Sequence, residues 1–346
     1  MTFSKQISKS DNIDFVKYIA AIMVIIEHSF VIASKNPNVI FSFLHNHIVF
    51  GGIGVAIFFF LSGFLVTRSM IAKKNAKNYF KVRVHKIIPP LLVVIPVTAF
   101  VLGPCVTTLP IKEYFSTSGT YKYLLNIVLI RQHFLPGVFE DNPYPGAVNG
   151  SLWTLLFEFL CYIATYVAYK LKLLKKGSIL ISVPMVIAGV IILFTTASRF
   201  GIAYSYLGSI VRACLCYYVG MIMYFYYEYW INYKMLTVSV ILTVIGLMTH
   251  SIYIFLIFII PILLLNVGWG IPVTVNPKLA KLGKYSYGIY LVAFPIQQLL
   301  VYIWEDMNPV VNSIFTIVLS TVLGKLIHDY IENPHSRFSL YDRTPI

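Results

Sequence analysis

The stretch NIDFVKYIAAIMVIIEHSFVIA, residues 12–33, decides how the rest of the chain reads. Its apolar run is long enough to cross a bilayer, for which about 20 residues suffice. Yet Asp14, Lys17, Glu27 and His28 lie within or beside it. Ionisable groups in a membrane helix are costly and are retained where they face a cavity, a partner or a reaction. At about 100° and about 1.5 Å per residue, Lys17 and His28 fall within roughly 20° of one azimuth and ~16 Å apart along the axis. One face of this helix therefore offers a cation near one membrane surface and an imidazole deep inside. Glu27 points about 100° away from His28 and need not share its environment.

The same pattern recurs down the chain. Of 346 residues, 58% are hydrophobic and 12% charged, whereas a soluble domain carries about 25% charged residues. This composition predicts an all-α polytopic membrane protein. Apolar runs at 13–34, 49–69, 87–109, 150–169, 178–197, 208–228, 235–250, 252–268, 285–303 and 311–331 predict about ten transmembrane helices. The runs at 235–250 and 252–268 are separated by little more than His250-Ser251. No linker or low-complexity tract divides the chain, so one membrane domain is expected over 1–346, with a core of about 10–340. The first apolar run is too long for a cleavable signal peptide and has no small-residue cleavage site behind it.

Charge placement sets the expected orientation. Lys5, Lys9, Arg68, Lys73, Lys74, Lys77, Lys81, Arg83, Lys86, Lys170, Lys172, Lys175, Lys176, Lys234, Lys278, Lys281, Lys284, Arg337 and Arg343 fall in loops on one side. Lys35, Lys112, Lys122, Arg131 and Arg199 fall on the other. The positive-inside rule then puts both termini in the cytoplasm. It also assigns the net charge of +14 to a membrane surface, and nucleic acid is not an expected partner. The longest outer loop runs from Leu109 to Asn149 and contains YLLNIVLI, Tyr123–Ile130, too short to span and read as a re-entrant or interfacial piece. Pro136, Pro143 and Pro145 break regular structure before NGSLW, and the loop is placed to cover an outward-facing substrate entrance. Cys105, Cys161, Cys214 and Cys216 lie in apolar segments without metal-ligand spacing, and His45 and His47 have no evident third ligand, so no metal is expected.

Two groups of residues carry candidate chemistry. His28 lies ~22 Å along its helix, in the outer half of the membrane, and imidazole suits general base work near neutral pH. Glu158, ~12 Å into the fourth helix from the outer side, is the expected partner. A carboxylate there would fix the imidazole tautomer and support its protonated form. Ser151 and Trp153 begin that helix, where free backbone amides and a serine cap are expected. The second group lies in YFKVRVHKIIPP, residues 79–90, where Arg83 and Lys86 share a helical face at the cytoplasmic entrance. With Lys17 they would surround a vestibule suited to a phosphate-bearing ligand. Pro89-Pro90 is expected to end or bend the helix that carries the pair. The structural alternatives are a histidine bonded to a neighbouring helix, a Glu158 paired with Arg212 or Lys17, and basic residues that only mark topology. Gly51-Gly52-Ile53-Gly54 opens a helix with no strand before it, which indicates packing and excludes a dinucleotide fingerprint.

Taken together, Lys17-x10-His28, FFFLSGFLVTRS (58–69), YFKVRVHKIIPP (79–90), NGSLWTLLFE (149–158), YSYGIYLVAFPI (285–296) and IENP (331–334) resemble the acyltransferase-3 family. The blocks occur in the family's order over about residues 10–340. The resemblance implies an integral-membrane O-acyltransferase of the cell inner membrane. It implies acetyl-CoA, or another acyl-CoA, as donor substrate and no permanently bound cofactor. The implied acceptor is a hydroxyl of a cell-surface polysaccharide or its lipid-linked precursor. By the same resemblance His28 and Glu158 are catalytic, Lys17, Arg83 and Lys86 bind the donor, and Ser151 and Trp153 support the acceptor or the structure. The family often has arginine where this chain has Lys17 and Lys86, and lysine keeps the charge without the bidentate fork. No C-terminal esterase-like domain of the kind some members carry is present, so a stand-alone form is expected. The alternative from another class is a transporter or flippase of an anionic lipid-linked substrate, using the same cations for binding only.

Overall fold

The computed structural model describes residues 10–33, 50–73, 75–199, 204–248, 252–271 and 274–333. Lys5, Lys9, Lys35, His45, His47, Lys74, Pro334, Arg337, Arg343 and the His250-Ser251 junction lie outside the described residues. Among those described, ten long helices follow one another. They are α1 (Asp11–Ala33), α2 (Phe50–Lys73), α3 (Ala76–Val97), α4 (Trp153–Lys170), α5 (Ser178–Arg199), α6 (Tyr204–Trp230), α7 (Tyr233–Met248), α8 (Ile252–Leu265), α9 (Ser286–Ile303) and α10 (Pro309–Ile327). The described residues contain no strand, only isolated antiparallel bridges at Thr107–Val138 and Phe134–Ala147.

Seven helical stretches are long and apolar enough to cross a membrane: Asp11–Ala33, Phe50–Lys73, Ala76–Val106, Gly150–Lys170, Leu207–Trp230, Pro277–Ile303 and Pro309–Glu332. Three shorter apolar stretches, Ser178–Ile192, Tyr233–Gly246 and Ile259–Gly270, fall where the remaining runs were expected. The protein is a multi-pass membrane protein. α7 and α8 are separate helices that pack against one another, which one bent helix would not do. Pro89 and Pro90 do not end α3, which continues through them to Val97 and, by a π turn at Thr98–Leu102, to Val106. A proline removes only its own amide donor, and the surrounding turns retain theirs.

The chain divides into two compact units, each assembled from three separate stretches. The first holds Met1–Ile13, His47–Tyr79 and Phe157–Asn276. Its centre is the crossing of α2 and α6. A Cβ on Gly63 would lie 2.0 Å from the Tyr217 carbonyl oxygen, and one on Gly220 would lie 2.3 Å from that of Phe60. Lipid tails are as apolar as leucine, so close backbone packing over small residues replaces the hydrophobic drive of soluble cores. The π turn Asn266–Gly270 follows α8 and sets Trp269 against Phe64, with ring centroids 5.4 Å apart.

The second unit holds Asp14–Asn46, Phe80–Leu156 and Pro277–Ile346. α9 and α10 form its centre. They meet at facing glycines, where a Cβ on Gly288 would lie 2.9 Å from Gly324 Cα. α1 joins through Tyr18 and Thr321, whose hydroxyls are 3.2 Å apart. α3 joins through Tyr287, which donates to the Ile87 carbonyl at 2.9 Å. The long loop before α4 holds the short helices Ile111–Ser116 and Ser118–Lys122 and a 3-10 turn at Tyr123–Val128. Leu129 ends that turn in the left-handed region, so YLLNIVLI forms one short turn and a reversal.

Candidate active site

His28 belongs to the second unit, near the end of α1. Its ring meets Phe294 of α9 edge-on, at 5.2 Å between centroids and 75° between planes. His28 Nδ1 is buried and has no hydrogen-bond partner among the described residues. A buried polar atom left unpaired costs about 1–3 kcal/mol, and more is at stake inside a membrane helix. An imidazole whose Nδ1 is unpaired keeps the capacity to hydrogen-bond a carboxylate or a substrate hydroxyl.

The turn that carries His28 is held from α9. Gln297 donates to the Ile25 carbonyl at 2.7 Å and to Ser29 Oγ at 2.6 Å, the two positions that flank His28 one turn apart. Gln297 is fully buried. Phe294 lies one turn earlier on α9, against Gly150, where a Cβ would come within 2.6 Å of the phenyl ring. Pro295, inside α9, has no amide to offer the Leu291 carbonyl. Asn149 supplies that bond instead, its Nδ2 lying 2.8 Å from Leu291 O.

The start of α4 differs from expectation in its cap. Asn149, not Ser151, is the cap residue: its Oδ1 accepts from the Ser151 amide at 3.1 Å, and a 3-10 turn at Gly150–Leu152 leads into α4. Ser151 sits two residues inside the cap, where its own hydroxyl cannot reach the first free amides. Its carbonyl accepts from Tyr290 at 2.6 Å, and the Tyr290 hydroxyl also meets that of Thr154 at 2.9 Å. Trp153 is half-buried at the first position of α4.

The cations are unequal. Arg83 is 6% exposed, whereas Lys86, one turn on, is exposed. Lys17 is paired with Asp14 at 3.0 Å and keeps 25% of its side chain open. Lys17, Arg83, Lys86, His28, Ser151 and Trp153 all belong to the second unit, while Glu158 belongs to the first. There the Glu158 carboxylate accepts from Ser62 Oγ at 3.2 Å and, by a short bond, from the Tyr162 hydroxyl. Ser62 also lies 3.4 Å from that hydroxyl. A carboxylate inside a membrane is thus met by two hydroxyl donors.

Sequence reasoning missed Asn149, Gln297 and Ser62. The signal for Gln297 was present, since paired amides at 297 and 298 interrupt an otherwise apolar run. A cavity of about 410 Å3 lies among α3, α9 and α10, lined by groups such as Val94, Thr98, Pro295 and Leu326. None of the candidate residues lines it.

Comparison with known proteins bears on the family and not on the site residues. The family model described as an acyltransferase domain matches residues 10–328. An O-acetyl transferase of Shigella phage Sf6 is 28% identical over 303 residues, covering 85% of this chain and 86% of the relative. Nodulation protein 10 of Rhizobium leguminosarum bv. viciae is 30% identical over 167 residues, covering 44% of this chain and 42% of the relative. No solved structure matches the chain.

Proposed function

Since this chain belongs to the acyltransferase-3 family and is a membrane acyltransferase, we propose that it moves an acetyl group from acetyl-CoA to a hydroxyl of a surface polysaccharide or its lipid-linked precursor. The protein would span the inner membrane ten times as one functional domain, with both termini in the cytoplasm. The phage relative bears the name O-acetyl transferase, which supports acetyl as the group moved. Charge supports the donor side: Arg83 and Lys86 lie at the basic end of α3, and Lys17 carries a third cation. Coenzyme A presents phosphates that such cations bind by charge-assisted hydrogen bonds.

The observation that carries the reading is the buried, unpaired Nδ1 of His28 on an apolar helix. In the proposed step the imidazole removes the proton of the acceptor hydroxyl as its oxygen attacks the thioester carbonyl. The carbon–sulfur bond then breaks, and the thiolate leaves as the free thiol by taking that proton back from the imidazolium. Glu158 enters as the carboxylate that supports the imidazolium, on the chemistry of the pair. Ser62 and Tyr162 hold it.

The test is acetyl transfer and release of coenzyme A thiol by purified protein. General base catalysis contributes about 10²–10⁴-fold, so His28→Ala is expected to lose at least that much turnover while still binding donor. Glu158→Gln should be strongly impaired, and the double variant little worse than His28→Ala alone, as for groups that act as a unit. Near-normal transfer by His28→Ala at matched expression would sink the mechanism.

A further inference from the structure

The last part of the long loop before α4, residues 132–149, exposes the aromatic rings of Phe134 and Tyr144. Tyr144 is 41% exposed and Phe134 is 64% exposed, while Leu135, Val138, Phe139, Ala147 and Val148 around them are buried. The exposure does not come from a loosely held backbone. Phe134 pairs with Ala147 in an antiparallel bridge, and its ring covers Gly146, where a Cβ would come within 3.2 Å of it. Gly146 has a φ of +74°, which a side chain would strain. Tyr144 is fixed through its carbonyl, which accepts from Gln298 Nε2 at 2.8 Å. Gln298 also donates to the Ala147 carbonyl at 2.8 Å and accepts from Asn142 Nδ2 at 2.8 Å. Tyr144 thus directly precedes the Pro145-Gly146 pair, and the Phe134 ring lies over Gly146.

The Tyr144 ring also leads inward. Its centroid lies 6.3 Å from that of Phe294, at 72° between planes, and Phe294 in turn meets His28 edge-on. We propose that Tyr144 and Phe134 form a platform on which a sugar ring of the acceptor stacks before one of its hydroxyls reaches His28; this rests on the acyl-transfer reading above. A pyranose presents faces of C–H bonds that lie flat on aromatic rings, and its rim of hydroxyls can bond a phenol such as that of Tyr144. Rigid aromatics offer large contact area at low entropic cost. The competing role for exposed Tyr and Phe in such a protein is anchorage at the lipid headgroups. Anchorage asks only for an amphipathic or apolar side chain, whereas stacking asks for a ring.

The experiment uses the full-length protein in detergent, radiolabelled acetyl-CoA, and alkyl glycosides of glucose, galactose, rhamnose and N-acetylglucosamine as probes. With the glycoside that wild type acetylates best, Tyr144→Ala and Phe134→Ala should each raise the acceptor KM about tenfold. The KM for acetyl-CoA should stay within about twofold. Tyr144→Trp should restore the acceptor KM, and Tyr144→Leu should not. An unchanged acceptor KM in Tyr144→Ala, or rescue by Tyr144→Leu as complete as by Tyr144→Trp, would overturn the platform and leave an interfacial anchor. Failure of wild type to acetylate any of the glycosides would count against the acyl-acceptor reading separately. Titration of the same glycosides into Tyr144→Trp, read by indole fluorescence, would then decide the platform alone: a saturable change supports it, and none overturns it.

Discussion

At the scale of single residues, neutral amides hold the geometry around His28, while the proposed chemistry rests on ionisable groups. Gln297 donates both amide protons to the α1 turn that bears His28, and its Oε1 is buried without a partner among the described residues. Gln297→Leu would leave the Ile25 and Ser29 acceptors without that donor, and a lost buried partner costs about 1–3 kcal/mol. The expected result is a lower unfolding temperature in detergent and a lower kcat, with the KM for acetyl-CoA unchanged. A KM effect without a kcat effect would place Gln297 on the donor side instead. Among the cations, burial predicts an order. Arg83→Ala should raise the donor KM roughly 10–100-fold, the equivalent of about 1.5–3 kcal/mol. Lys86→Ala, at an exposed position, should cost less because water screens it. Lys86→Arg should be tolerated. Equal, negligible effects of both alanine variants on donor binding would return the pair to topology markers.

At the scale of elements, the long loop is ordered by buried polar contacts in place of a hydrophobic helix face. Tyr114 donates to the Ala99 carbonyl at 2.6 Å, and Asn126 bonds the Tyr123 and Gln132 carbonyls at 2.9 and 3.0 Å. Burial pushes the Tyr114 phenol up to about 12, so it stays a neutral donor at any working pH. Burial, and then the Arg131 charge, pull the His133 imidazole from 6.5 to about 4. A histidine with a depressed folded-state value stabilises the fold while neutral. That stability is fully present above 6.5 and is lost as pH falls toward about 4. The amide protection of residues 107–149, corrected for the intrinsic pH dependence of exchange, should therefore fall between those limits in wild type. It should show little such acid dependence in His133→Gln. Most of the helices were legible as apolar runs because a membrane span must satisfy its backbone internally. The loop was not, since its order rests on side-chain bonds such as Asn142 to Gln298, distant in sequence. The cap at α4 was misplaced by two residues for a related reason: Asn149 serves α4 and the gap left by Pro295 at once, and no local window contains both.

At the scale of the whole molecule, composition alone identifies a membrane protein, while the grouping of its helices into two units could not be read locally. Each unit gathers three separate stretches, and hydrophobic periodicity is silent on which spans meet. Glycine carries part of that information in retrospect: Gly63 and Gly220 mark one crossing, Gly288 and Gly324 another. Gly220→Leu should accordingly destabilise the first unit by about 1–3 kcal/mol or more through overpacking, seen as a lower yield of folded protein on gel filtration. Orientation is the remaining global property, and the proposed chemistry depends on it. Donor phosphates reach Arg83 from the cytoplasm only if the basic end of α3 faces inward. The loop helix Ser118–Lys122 and the turn at Lys175 provide exposed reporters. Both are to be tested after replacing the exposed thiol by Cys105→Ala. In intact cells Ser118→Cys should react with a membrane-impermeant maleimide, and Lys175→Cys should react only after permeabilisation. Labelling of Lys175→Cys from outside would invert the protein, move the basic end of α3 to the face without acetyl-CoA, and remove the physical basis for reading Lys17, Arg83 and Lys86 as the donor site.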